Sequence, residues 1–166
     1  MNKVKNMLII ANLIALIGYF NWSILAKEKI IDQGDLVLLA LAPVDPRSLM
    51  QGDYMRLSYV INEVPDNLKV AKRGFCILKK NDKGFAERIR FQKELGKLKS
   101  DEIAIKYFSE SNQYFTRIHV GAESYFFEEG SAKRFENAKY GGLRIDKNGN
   151  SVLVGMYDEH LQQIKR

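Results

Sequence analysis

From Met7 to Leu25 the chain reads MLIIANLIALIGYFNWSIL, nineteen residues without a charged side chain. At a rise of about 1.5 Å per residue, such a helix is roughly 28 Å long, close to the thickness of bilayer hydrocarbon. Its apolar character runs round every side, with Asn12, Asn21 and Ser23 as the polar interruptions, which argues against a helix burying one stripe on a soluble core. Asn12, near the middle, has the chemistry to hydrogen-bond a second helix. The segment reads as one membrane crossing through residues 7–25.

Lys3 and Lys5 precede the segment, and Tyr19 and Trp22 lie toward its far end, where aromatic rings favour the interface. Lys27 and Lys29 nearly balance the first two lysines, so the orientation rests on the layout, a short basic N-terminus followed by an apolar run, as in a secretory signal or signal anchor. Ile24-Leu25-Ala26 puts a bulky side chain where signal cleavage prefers a small one, which favours an uncleaved anchor. We therefore expect residues 1–26 to form a cytoplasmic tip and anchor, and residues 27–166 an extracytoplasmic domain.

The rest of the chain has the periodicity of strands. Asp35 to Ala42 is apolar on both faces and stops at Pro43, as in a central strand. Pro43 and Pro46 bracket a turn, and after Gly52 an alternation begins in which Met55, Leu57 and Tyr59 face the core and Tyr54, Arg56, Ser58 and Val60 face outward. Residues 74–80 and 85–91 flank Asn81-Asp82-Lys83-Gly84 and read as a hairpin. Residues 143–146 and 151–156 flank Lys147-Asn148-Gly149-Asn150, where Asn148-Gly149 is expected to supply positive φ angles. Residues 102–108, 114–120 and 124–127 are rich in aromatic and β-branched side chains. Residues 131–139 are read as a short helix with Ser131 as N-cap. The expected fold is mainly β, a compact barrel or sandwich of about eight strands with one short helix.

The residue content narrows the chemistry. A net charge of +6 is spread over mixed lysines, arginines and acids without a basic stripe, so no nucleic-acid partner is expected. Cys76, the one cysteine, lies in the apolar run Gly74 to Leu78 and reads as a buried small side chain. His119 and His160 stand apart from any Cys/His cluster, so no metal or other cofactor is expected. His119 alternates with Arg117 on a strand and reads as a surface residue.

A membrane anchor followed by a β domain with a Pro-x-x-Leu-x-x-Gly-Asp flavour resembles the type I signal peptidases. That resemblance stops at the chemistry, because Pro43-Val44-Asp45 occupies the place of the serine nucleophile. Paired carboxylates are available as Asp45 and Asp53, or Glu128 and Glu129. Asp45 and Asp53 have simpler roles in turns, and Glu128 and Glu129 precede the short helix, whose dipole favours negative charge. Gly141-Gly142 lacks the lysine and following helix of a phosphate loop. Adjacent aromatics, Tyr107-Phe108, Tyr114-Phe115 and Tyr125-Phe126-Phe127, must face opposite ways on strands, which leaves either a sheet packed on both faces or an aromatic binding surface.

Gly52-Asp53-Tyr54-Met55-Arg56-Leu57-Ser58-Tyr59 fills every fixed position of the motif that names the GDYXXLXY proteins, and the chain resembles that family over nearly its whole length. The lead-in Pro43 to Leu49, the block Ser124-Tyr125-Phe126-Phe127-Glu128-Glu129-Gly130 and the segment from Gly149 to Gly155 are also similar to it. The resemblance implies a bacterial protein anchored in the cytoplasmic membrane, in a family without an assigned activity whose members often occur beside genes for polytopic membrane proteins. It points to a non-enzymatic accessory subunit docking on a polytopic membrane partner, with Arg47, Asp53, Tyr54, Arg56, Tyr59 and Glu129 as docking or binding candidates and Asp53 expected to bond backbone in the preceding turn. The alternative is an envelope hydrolase, acting on peptide or glycan through Asp45, Asp53 and Glu129.

Overall fold

The computed structural model describes residues 3–42, 54–65, 68–112 and 115–165. Helix α1 spans Lys3–Gln33, 31 residues, or about 46 Å at the α-helical rise. It is long and apolar enough to cross a membrane, and its large side chains are exposed on all sides, Ile9 and Trp22 at 66% and 68%. The helix continues past the apolar run through Lys27, Glu28 and Lys29, which are good helix formers. Gly34 stops it. Its N–H donates to Ile30 O at 2.9 Å, and its own carbonyl accepts from the Arg144 guanidinium at 2.8 Å. A Cβ at Gly34 would lie 2.5 Å from Ile30 O.

The strands follow as β1 (Asp35–Ala40), β2 (Tyr54–Arg56), β3 (Glu63–Val64), β4 (Arg73–Lys80), β5 (Ala86–Gln92), β6 (Glu102–Ser111), β7 (Thr116–His119), β8 (Ser124–Phe126), β9 (Tyr140–Ile145) and β10 (Ser151–Tyr157). A short helix, α2 (Ala132–Phe135), separates β8 from β9. Among the described residues, eight strands form one sheet in the order β10-β9-β1-β5-β4-β6-β7-β3, and β2 pairs with β8 in a second. The fold is mainly β as the sequence indicates. The large sheet is open rather than a closed barrel.

Three side contacts draw that open sheet around its core. The Leu41–Tyr59 bridge and the Ala42 N–H to Ser58 O bond, 2.7 Å, tie the end of β1 to the segment after β2. Arg88 on β5 donates to the carbonyls of Ile61 and Glu63, reaching the chain that leads into β3. Lys106 N–H on β6 donates to Gly149 O in the β9–β10 turn at 2.9 Å. The enclosed core takes Val37 and Leu39 from β1, Cys76 and Leu78 from β4, Ile105 from β6, Ile118 from β7 and Leu143 from β9, all buried. β1 is central, and Val37, Leu38 and Leu39 are buried on both its faces.

Local chemistry explains where the elements differ from expectation. In the β9–β10 loop only Gly149 has a positive φ, +78°, and Asn148 does not. The Asp146 carboxylate accepts the N–H groups of Asn148 and Asn150, which leaves a single left-handed position before β10. The short helix covers four residues instead of nine, because Lys139 N–H is already committed to Tyr157 O at 2.8 Å. The Ser131 hydroxyl is not an N-cap. It donates backward to Glu128 O at 2.6 Å. The strand expected from Tyr54 to Val60 is regular only over Tyr54–Arg56, with isolated pairing at Leu57 and Tyr59 beyond it, and Val60–Asn62 forms a 3-10 turn. Tyr114 lies outside the described residues.

Across the middle of the sheet, Arg90 on β5 and Glu102 on β6 form a bidentate pair at 2.6 and 2.8 Å that spans β4. The Glu102 side chain is 4% exposed. The Arg90 guanidinium, helped by the Lys99 backbone N–H, holds the Glu102 carboxyl at about 2, below its ordinary 4.5. A carboxylate with a depressed pKa stabilises the fold fully above its ordinary pKa, and that contribution is lost as the pH falls through the folded value. The thermal midpoint of the wild type should exceed that of Glu102→Gln near neutral pH, with the gap closing between pH 4.5 and 2. A gap that stayed constant from about pH 6 to about pH 3 would show that the charge on Glu102 does not hold these strands together.

Candidate functional site

The motif strand and the second aromatic block are partners. Tyr54 pairs with Phe126, Met55 with Tyr125 and Arg56 with Ser124, antiparallel, and Leu57 N–H extends the ladder to Glu123 O at 2.9 Å. Because strand side chains alternate, this ribbon has two distinct faces. Met55, Leu57, Tyr59 and Tyr125 are buried. Tyr54, Arg56, Ser124 and Phe126 face outward, with Arg56 and Phe126 exposed and Tyr54 half-buried. The Tyr54 and Phe126 rings lie 5.7 Å apart, centroid to centroid, tilted by 36°.

Tyr59 closes the motif from inside. It has no exposed surface, and its hydroxyl donates to Ala122 O at 2.6 Å. Burial, with the nearby Glu123 carboxylate as a lesser cause, pushes the phenol far above its ordinary range, so it remains a neutral donor. The ring lies over Gly141 of β9, where a Cβ would come within 2.8 Å of Cε1. One side chain thus joins the motif ribbon, the loop between β7 and β8, and the large sheet.

This burial removes Tyr59 from the docking candidates, since its whole surface is spent on the core. Tyr54 and Arg56 come together on the outward face. Glu129 is exposed in the turn before α2, and the carbonyl of its neighbour Glu128 takes the Ser131 N–H at 3.0 Å. Arg47 and Asp53 lie outside the described residues, as does Asp45, so the proposed backbone bond of Asp53 and the convergence of carboxylates required for hydrolysis fall there too. Cys76 is fully buried and burial pushes its thiol up to about 12, against a smaller opposing effect of Arg88. A thiol so placed is not a nucleophile near neutral pH. Among the described residues no group of three or more His, Cys, Asp or Glu side chains converges to hold a metal ion.

Two contributors escape sequence reasoning. Ala122 acts through its carbonyl, which no side-chain pattern reveals. Gly141 acts through its missing Cβ, and only the adjacency Gly141-Gly142 signals it. Gly142 plays the same part for the Tyr157 ring.

Removing the phenol oxygen leaves a buried carbonyl without its donor, so Tyr59→Phe should destabilise the detergent-solubilised chain by about 1–3 kcal/mol. Gly141→Ala should cost a similar amount, about 1–3 kcal/mol, by overpacking the same ring. Chemical denaturation of the two single variants and the double variant should give costs that fail to add. A Tyr59→Phe loss below about 0.5 kcal/mol would mean that this hydroxyl is dispensable to the fold.

The model of the GDYXXLXY protein family matches residues 16–156, which takes in the end of α1, the motif ribbon and both hairpins. No curated protein and no solved structure matches the chain. With the match covering the greater part of its length, the chain belongs to the GDYXXLXY protein family.

Proposed function

We propose that this chain is a non-enzymatic accessory subunit, held in the bacterial cytoplasmic membrane by α1, whose extracytoplasmic β domain docks on a polytopic membrane protein through the outward face of the β2–β8 ribbon. The observation that carries this reading is Phe126, 68% exposed at one end of a two-stranded ribbon built from both family motifs. An exposed aromatic beside a tyrosine ring and an exposed arginine is the composition of a protein interface anchor. Arg56, exposed on the same face, supplies a charge that fixes orientation.

The helix supports the same reading. Its apolar surface is uncovered by the domain, so in a bilayer it is available to lipid or to the helices of a partner, and Asn12 lies on that surface with a hydrogen-bonding side chain. The exposed ribbon would then meet parts of the same partner that project beyond the membrane.

A photo-reactive amino acid placed at position 126 in the full-length protein should crosslink in native membranes to a polytopic membrane protein. Phe126→Asp and Arg56→Glu should abolish copurification of that protein while shifting the thermal midpoint by no more than surface substitutions ordinarily do. Crosslinks confined to soluble envelope proteins, or undiminished copurification of the double variant, would defeat the proposal.

A further inference from the structure

On the opposite side of β4 and β6 from the core lies a cleft of about 510 Å³. Arg73, Lys93 and Lys106 rise around it, and Phe75, Phe108 and His119 form its apolar floor. The Phe108 and His119 rings are stacked, 4.7 Å apart and 15° from parallel. None of the residues lining the cleft is acidic. Among the described residues, Arg73, Lys93 and Lys106 form no ion pair with a carboxylate. The acid closest to the floor is Glu110, whose Oε2 is 3.4 Å from His119 Nε2. That ring nitrogen is buried and makes no hydrogen bond. A concave apolar floor ringed by unneutralised cations fits a ligand that is partly apolar and carries a negative charge.

The position of the cleft narrows the ligand. Lys106 Nζ donates to Asn150 Oδ1 at 2.7 Å, and Lys106 N–H to Gly149 O at 2.9 Å, so one wall rests on the β9–β10 turn. That turn adjoins the end of α1, because Ile145 pairs on one side with Asp35, two residues after the helix, and on the other with Ser151. Between the end of the apolar run at Leu25 and Gln33 the helix rises roughly 12 Å, and the headgroup layer on one side of a bilayer is about 5–8 Å deep. One wall of the cleft therefore lies beside the end of the domain that α1 enters.

We infer that this cleft binds a phosphate-bearing anion with an apolar portion, the phosphate held by Arg73, Lys93 and Lys106 and the apolar part resting on Phe75 and the Phe108–His119 stack. This rests on reading α1 as a bilayer anchor for the choice of source, a lipid headgroup or a soluble phosphate ester, but not for the binding itself. Arginine and lysine that form no ion pair among the described residues bind phosphate oxygens without first breaking an internal pair.

The test uses the full-length chain in uncharged maltoside detergent, titrated separately with dihexanoyl phosphatidylglycerol and with glycerol phosphate while the His119 ring resonances are followed by NMR. Both probes carry the phosphate. We expect saturable shifts at His119, and at least a tenfold weaker affinity in each of two double variants, Arg73→Gln/Lys106→Gln and Arg73→Gln/Lys93→Gln. The variant pair Lys133→Gln/Arg134→Gln on α2 should bind as the wild type does. Tighter binding of the lipid supports both the phosphate and the apolar contacts and assigns a bilayer source, whereas equal binding assigns a soluble phosphate ester and overturns the role given to the apolar floor. Unshifted His119 resonances with both probes, or cleft variants that bind like the wild type, would overturn it. Flotation with liposomes after carbonate washing tests the anchor independently, so a chain that fails to float but still binds glycerol phosphate refutes only the membrane reading.

Discussion

The fold depends on one buried hydroxyl. Tyr59 donates to Ala122 O from a site with no solvent contact, and its ring fills the notch above Gly141. A buried phenol without a partner is costly, so this hydrogen bond fixes where the loop between β7 and β8 must lie relative to the motif strand. That placement in turn sets the register of β2 on β8, since Leu57 N–H meets Glu123 O one residue beyond Ala122. Tyr59 also bridges Leu41 along the backbone, so the same residue ties the ribbon to the end of β1.

Around this point the open sheet is gathered by groups from distant parts of the chain. Arg88 reaches from β5 to carbonyls ahead of β3, and Gly149 caps the free edge of β6 beyond the end of β7. Each contact satisfies a backbone group that an open sheet would leave to solvent. The curl is thus achieved through a few specific donors instead of a continuous ladder. The Arg90–Glu102 pair braces the strands on either side of β4 in the same way.

Much of this was legible in the sequence, for identifiable reasons. Alternation separated Met55, Leu57 and Tyr59 from Tyr54 and Arg56, and the structure buries the first set and turns the second outward. The apolar run from Met7 revealed a helix that the domain leaves uncovered. Both hairpins announced themselves through their turn residues. What was hidden depends on tertiary contact. The end of the motif strand at Arg56 is set by β8, the length of α2 by the bond from Lys139 to Tyr157, and the cleft by the approach of Arg73, Lys106 and His119 from three strands and of Lys93 from the bend after β5. No local spacing encodes such meetings. Tyr59 was readable as a core residue and as a polar candidate at once, and burial decides between the two.

The passage from α1 into β1 has a mechanical meaning. Gly34 is the one residue between them, and its N–H and C=O are engaged by Ile30 and Arg144. With both of its backbone groups held, and with the helix end packed on β9 and β10, this joint fastens α1 directly to the large sheet. Rotation of the helix about its long axis would carry the large sheet with it, and in the proposed complex the azimuth of the β2–β8 ribbon would follow the side of α1 that met a partner helix. Under that proposal the chain would act as a key with shaft and bit in one piece, a lateral contact made by the shaft selecting which edge of the bit is presented.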